Sequence, residues 1–137
     1  MGLILDSSVV IAAERRGDTP EQLVQQVISV AGNQEAALSS VGLTELVHGI
    51  YRANSAQVQS RRRSFVDELR IGLTVYPYTA ETAMLAGRID GEQTMKGVVI
   101  PYADLLIGAT ALSLTFSVLT SNMRHFALIP GLHVISL

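Results

Sequence analysis

Short, continuously apolar runs alternate along the chain with longer segments whose apolar residues recur every three or four positions. Leu3-Ile4-Leu5 has the character of a buried strand, and Asp6-Ser7-Ser8 then supplies helix-capping side chains ahead of a helix over residues 9–16. Thr19-Pro20-Glu21-Gln22 marks a second helix start: Thr19 is placed as the cap, Pro20 as the first helical residue and Gln22 as the reciprocal member of a capping box, with Gly32 as the stop. Residues 36–39 read as a second strand, followed by a helix over about 41–53 capped by Ser40 or its neighbour, and by another from Asn54 to Arg70 that Gly72 closes. Further strands are expected at 73–76, 116–120 and 132–135, and further helices at 79–95 and 101–114.

Short apolar strands that alternate with helices predict an α/β fold, a mainly parallel sheet of about five strands flanked by helices on both faces. With 137 residues and no internal repeat, low-complexity tract or linker, the expectation is a single domain spanning residues 1–137. A hydrophobic content of 48% against 16% charged residues excludes a disordered chain. Cysteine is absent, which removes disulfides, thiolate metal sites and a thiol nucleophile. The first residues lack the pattern of a signal peptide, and charges interrupt every apolar run before it reaches membrane-spanning length, so a cytoplasmic protein with no membrane association is expected.

Ten Lys and Arg against twelve Asp and Glu leave a net charge of −2, so the chain as a whole does not declare a nucleic-acid binder. Arg61, Arg62 and Arg63 are consecutive, and on their own read as a solvated helix face. Arg15, Arg16 and Arg124 are the cations nearest the expected site by segment.

In a parallel α/β sheet, ligands bind beyond the carboxyl ends of the strands, and that rule selects among the twelve acids. Asp6 ends strand one, Glu45 lies on the first turns of the helix after strand two in LTELVHGI, and Asp104 lies in the first turn of IPYADLLIGATAL. This last helix is apolar on nearly every side, where an ionised carboxylate is costly without a partner. Singly, the three have ordinary explanations: a helix cap, a surface residue, a complement to a helix dipole. Together, at one sheet edge, they repel one another, and a hard divalent cation resolves the repulsion through oxygen ligands.

On these residues the sequence resembles the PIN-domain ribonucleases, and within them the VapC-type toxins of VapBC toxin–antitoxin pairs. LILDSSVVIA with Asp6, LTELVHGI with Glu45, YADLLIGATAL with Asp104 and the closing LTSNMRHFALIPGLHVI follow the order of the family's motifs over the whole chain. The resemblance implies a PIN-like three-layer fold and a Mg2+-dependent endoribonuclease, with Mn2+ able to substitute. It also implies a homodimer or higher toxin–antitoxin assembly and a VapB-type antitoxin that neutralises the toxin's inhibition of translation or growth. Asp6, Glu45 and Asp104 would be the catalytic metal ligands. Ser8, Thr120 and Asn122 would orient ligands, waters or substrate, although Ser8 and Thr120 are equally accounted for as a helix cap and a strand-end hydroxyl. The chain departs from the family in having no Asp or Glu after Asp104: Asn122 stands about where many members place a fourth acid, and Asp90 is the remaining alternative.

Two rivals belong to other classes. Phosphoacceptor enzymes also use an aspartate after the first strand, but here Ser-Ser follows it, and the sole lysine, Lys96, precedes Asp104 in a helix-ending context. An RNA- or protein-binding domain that keeps the fold without the chemistry is the non-enzymatic alternative. The three histidines have no triad partners, which leaves a Ser-His-Asp hydrolase unsupported.

Overall fold

The computed structural model describes residues 1–137. Strand β1 (Gly2–Leu5) runs into α1 (Ser7–Arg15) and α2 (Pro20–Ala31); β2 (Glu35–Ser39) is followed by α3 (Ser40–Tyr51) and α4 (Ala56–Gly72). Strand β3 (Thr74–Tyr76) leads to α5 (Ala80–Met95) and α6 (Tyr102–Leu114), and β4 (Ser117–Thr120), α7 (Met123–Phe126) and β5 (Val134–Ser136) complete the chain. All neighbouring strands are parallel, in the order β3-β2-β1-β4-β5. The five expected strands and the parallel sheet are therefore present.

Successive residues of β1 point to opposite faces of the sheet, and both faces are covered. Leu3 and Leu5 join a core with Val9, Leu23, Leu46 and Phe65 beneath α1–α4, whereas Ile4 joins Ile89, Leu105, Ile107 and Phe126 beneath α5–α7. This accounts for the unbroken apolar run of the first strand and gives three layers. The apolar residues Phe65, Val66 and Leu69 of α4 are spent in the first core.

Local signals set most helix starts. The expected capping box is formed, with Thr19 Oγ1 accepting from Gln22 N and Gln22 Oε1 accepting from Thr19 N. Ser39 rather than Ser40 caps α3, and α4 begins two residues later than the sequence suggests because Ser55 accepts from Val58 N at 3.1 Å. The four-residue α7 was not foreseen, being too short to show a helical period. At Gly108 of α6 a Cβ would overlap the Cδ1 of Ile129, so glycine permits the close approach of α6 to the α7–β5 connection without displacing that side chain. That approach brings α7 beside the first turn of α6.

Topology then fixes where a site belongs. From the central β1 the chain builds outward through β2 and β3, then returns to place β4 on the other side of β1. The direction of building reverses between β1 and β4, and a crevice opens outside the carboxyl ends of strands at such a point. Leu5 pairs with Leu119, so Asp6 and Thr120 emerge side by side there.

Candidate active site

Asp6 occupies the backbone position of the α1 N-cap but makes no capping hydrogen bond, which sets aside its reading as a simple cap. Its Oδ2 instead accepts from Ser8 Oγ at 2.7 Å and Thr120 Oγ1 at 2.8 Å. Those hydroxyls are themselves oriented: Thr120 Oγ1 accepts from Asn122 N at 2.8 Å, and Ser8 Oγ from Ser121 N at 3.3 Å. With acceptor lone pairs taken by backbone N–H groups, both hydroxyl protons are left for the carboxylate. Asp6 is 3% exposed and Thr120 fully buried, so the Oδ2 side of this carboxylate is closed.

Glu45 lies on α3 and receives a hydrogen bond of 2.8 Å from Ser7 Oγ of α1. Burial pushes its carboxyl above the usual range, the Ser7 bond opposes the shift, and the negative charges of Asp6 and Asp104 raise it further. Asp104, in the first turn of α6, is likewise raised by burial, opposed by its bond to His125 and raised again by the charge of Asp6. Charges separated by much more than ~10 Å are screened. This mutual influence therefore marks three side chains from the β1 exit, α3 and α6 as facing one region.

His125 Nδ1, on α7, lies 2.7 Å from Asp104 Oδ2 and 2.7 Å from Asn122 Nδ2. Nδ1 carries at most one proton. With Asp104 ionised that proton is donated to the carboxylate, so the Asn122 amide must turn its oxygen toward the ring. Asn122 thus reaches Asp104 through His125. Asp90 lies in the middle of α5 and makes no hydrogen bond to any of these groups.

One oxygen of each acid is engaged: Oδ2 of Asp6, Oε1 of Glu45 and Oδ2 of Asp104. The other three, Asp6 Oδ1, Glu45 Oε2 and Asp104 Oδ1, have no protein partner, and no buried side-chain oxygen in the molecule is left unpaired, so each of the three reaches solvent. No three acids or histidines close into a ready-made coordination sphere. The donor set fits a hard cation that keeps several waters and uses few carboxylates, as magnesium does, rather than one caged wholly by protein.

Sequence reasoning missed two groups. Ser7 was read only as part of a capping segment, and nothing in the sequence tied it to a residue 38 positions away. His125 is one of the three histidines without a triad partner in the sequence, and its contact with Asp104 depends on α7, which is too short to show a helical period.

An all-parallel sheet with acidic side chains about its switch point defines an α/β domain of the class that binds ligands at the carboxyl edge of its strands. The chain belongs to the PIN-domain family, whose profile matches residues 3–132. Its relatives include Ribonuclease VapC1 of Rickettsia felis, 31% identical over 99% of this chain and 96% of the relative. Ribonuclease VapC of Rickettsia bellii is 29% identical over the same shares. In fold, the chain is similar to a chain of the Rickettsia felis VapBC2 complex bound to a promoter DNA fragment, with a TM-score of 0.86 over 100% of this chain and 99% of that one at 24% identity. A chain of the DNA-bound VapBC of Salmonella typhimurium gives 0.83 over 99% and 98%, also at 24% identity.

Proposed function

We propose that the chain is an endoribonuclease toxin of a VapBC pair, acting in the cytoplasm as one PIN-like unit over residues 1–137, dependent on Mg2+ with Mn2+ able to replace it. The observation that carries this reading is the convergence of Asp6, Glu45 and Asp104, the charge of Asp6 raising the cost of charge on both others and each acid keeping one unbonded oxygen. The names of the relatives support RNA as the substrate. Besides the ribonucleases above, a Salmonella typhimurium relative, 31% identical over 71% of this chain, is called a tRNA(fMet)-specific endonuclease. The VapBC complexes support a VapB-type antitoxin as partner, and inhibition of translation or growth when that partner is lost is part of the proposal. No helix is long and apolar enough to cross a membrane.

Asp6, Glu45 and Asp104 would hold the cation, which when bound supplies a more nucleophilic water and stabilises charge on the leaving oxygen of a phosphodiester. Ser8 and Thr120 hold Asp6 Oδ2, so only Oδ1 remains for a ligand. Ser7 fixes Glu45 in the same way, and His125, steadied by Asn122, fixes Asp104. Such supporting contacts raise the precision and affinity of a metal site. A homodimer is the expected form of the free toxin.

End-mapping of cellular RNA after brief induction of wild type and Asp104→Asn tests the reading. Discrete ends made by wild type alone, and reproduced by purified protein on the mapped RNA until a chelator is added, are expected. RNA that is bound but never shortened, with wild type and variant alike, would replace the enzyme by an RNA-binding domain that lacks chemistry.

A further inference from the structure

The arginines of the chain divide by whether they have a partner. In the triplet, Arg61 pairs with the buried Glu14 at 2.9 Å, Arg62 donates to the carbonyl of Gly49 at 2.7 Å, and Arg63 lies over the ring of Tyr51 and donates to its hydroxyl. Arg61 and Arg63 are exposed, as a solvated face requires, but the triplet also ties α4 to α1 and α3. Arg16 is likewise turned to Asp18 and Gln26. Arg15 and Arg52 are exposed and have no hydrogen-bond or ion-pair partner for their guanidinium groups.

These two line one cleft of about 570 Å3, together with Ser7, Glu45, His48 and Arg62. Its walls are two helix stripes. Ser7 and Arg15 are eight residues apart on α1, two steps of four, and Glu45, His48 and Arg52 follow at three and four on α3, so each set shares a face. Ser7 donates to Glu45 at the inner end, and at 1.5 Å per residue the arginines stand about 10–12 Å farther along. Glu14, beside Arg15 in sequence, is buried against Arg61, so the one carboxylate lining the cleft is Glu45.

We propose that this groove between α1 and α3 seats the backbone of single-stranded RNA flanking the bond to be cut, with Arg15 and Arg52 as phosphate-positioning residues. The inference rests on the ribonuclease reading and deepens it. Guanidinium groups free of internal partners are available to phosphate oxygens, whereas Arg61 and Arg63 would first have to abandon a buried carboxylate and an aromatic ring, and Arg62, which also lines the cleft, is tied to the Gly49 carbonyl. Phosphate contacts set register without reading sequence, as a groove with two cations at its far end requires.

The test measures binding of a short mixed-sequence single-stranded RNA by fluorescence anisotropy across a salt series, in an Asp104→Asn background that keeps the RNA whole. Adding Arg15→Ala and Arg52→Ala should weaken affinity about tenfold and reduce the slope of log affinity against log salt by about 1.4, near 0.7 for each lost single-strand contact. The paired lysine replacements should restore most of the slope. With Asp104 intact, the alanine pair should raise KM about tenfold and change kcat less than about twofold, and thermal melting should not move. Arg70→Ala with Arg88→Ala, both exposed and outside the cleft, should leave affinity unchanged. Wild-type cleavage with unaltered slope and KM in the Arg15/Arg52 variant overturns the groove while leaving the ribonuclease standing. An equal loss in the Arg70/Arg88 control, or a loss confined to antitoxin binding, also overturns it. A wild-type chain that cuts no RNA overturns both.

Discussion

At the β1–β4 exit, Asp6 is closed in by two neutral hydroxyls whose own acceptor positions are occupied by backbone N–H groups. On α6, Asp104 is held from one side by an imidazole on a four-residue helix, and its carboxyl is shifted upward by burial and by the charge of Asp6. One carboxylate is fixed by the sheet register itself, the other by the packing of a short helix against α6. Acids at one sheet edge can therefore have different structural costs: removing Asp6 strands the buried Thr120 hydroxyl and the half-buried Ser8 hydroxyl, whereas removing the charge of Asp104 relieves repulsion. Loss of activity cannot separate them, but stability can.

The largest effect expected is on chemistry. Asp6→Ala and Asp104→Ala should each lower RNA cleavage by about a thousandfold, roughly 4 kcal/mol of transition-state stabilisation, measured with the RNA mapped in cells. Cleavage that survives either change within about tenfold would remove that residue from the site. The two variants should then part in stability. Asp6→Ala leaves the Ser8 and Thr120 protons without their acceptor and should cost about 1–3 kcal/mol in urea unfolding, while Asp104→Asn should cost nothing. An Asp6→Ala protein as stable as wild type would mean that the closed corner contributes little.

The comparison also explains what could be read in the chain. The capping box at Thr19 and the apolar run of β1 are local signals, carried by residues a few positions apart, and they appear where expected. The rule for carboxyl ends of parallel strands picks out Asp6, Glu45 and Asp104 from twelve acids as candidates. The bonds that hold them were not legible, because each depends on distant register or packing: Thr120 meets Asp6 across 114 positions, Ser7 meets Glu45 across 38 and His125 meets Asp104 across 21. Arg61 and Arg63 are exposed as expected, but the ties of the triplet were not legible for the same reason, since local charge density says nothing about a buried Glu14 on another helix.

Thr120→Val and His125→Ala sharpen the contrast at the supporting groups. Thr120→Val removes a buried donor to Asp6 and an acceptor for Asn122 N, so both stability and activity should fall, activity by about 10–100-fold. His125 is partly exposed, and its loss should reduce cleavage about tenfold with little change in melting. His125→Gln, which can still donate to Asp104, should recover part of that activity. Equal losses of stability in the two alanine or valine variants would show that α7 belongs to the same rigid unit as the β1–β4 exit.

The smallest effect is the dependence of metal-free stability on pH. Glu45 and Asp104 hold their protons more tightly in the fold than their ordinary values of 4.5 and 3.8 allow. The stability they contribute is therefore complete below about pH 4 and is lost as pH rises through the raised folded values, where ionisation leaves charges in a desolvated place and then sets like charges against one another. In chelator at neutral pH, Glu45→Gln and Asp104→Asn should melt about 2–5 °C above wild type, and the difference should vanish near pH 4. Adding Mg2+ at neutral pH should raise the melting temperature of wild type more than that of either variant. Variants that melt below wild type in chelator at neutral pH would show that the bonds from Ser7 and His125 outweigh the repulsion, and that the three acids tolerate their proximity without a cation.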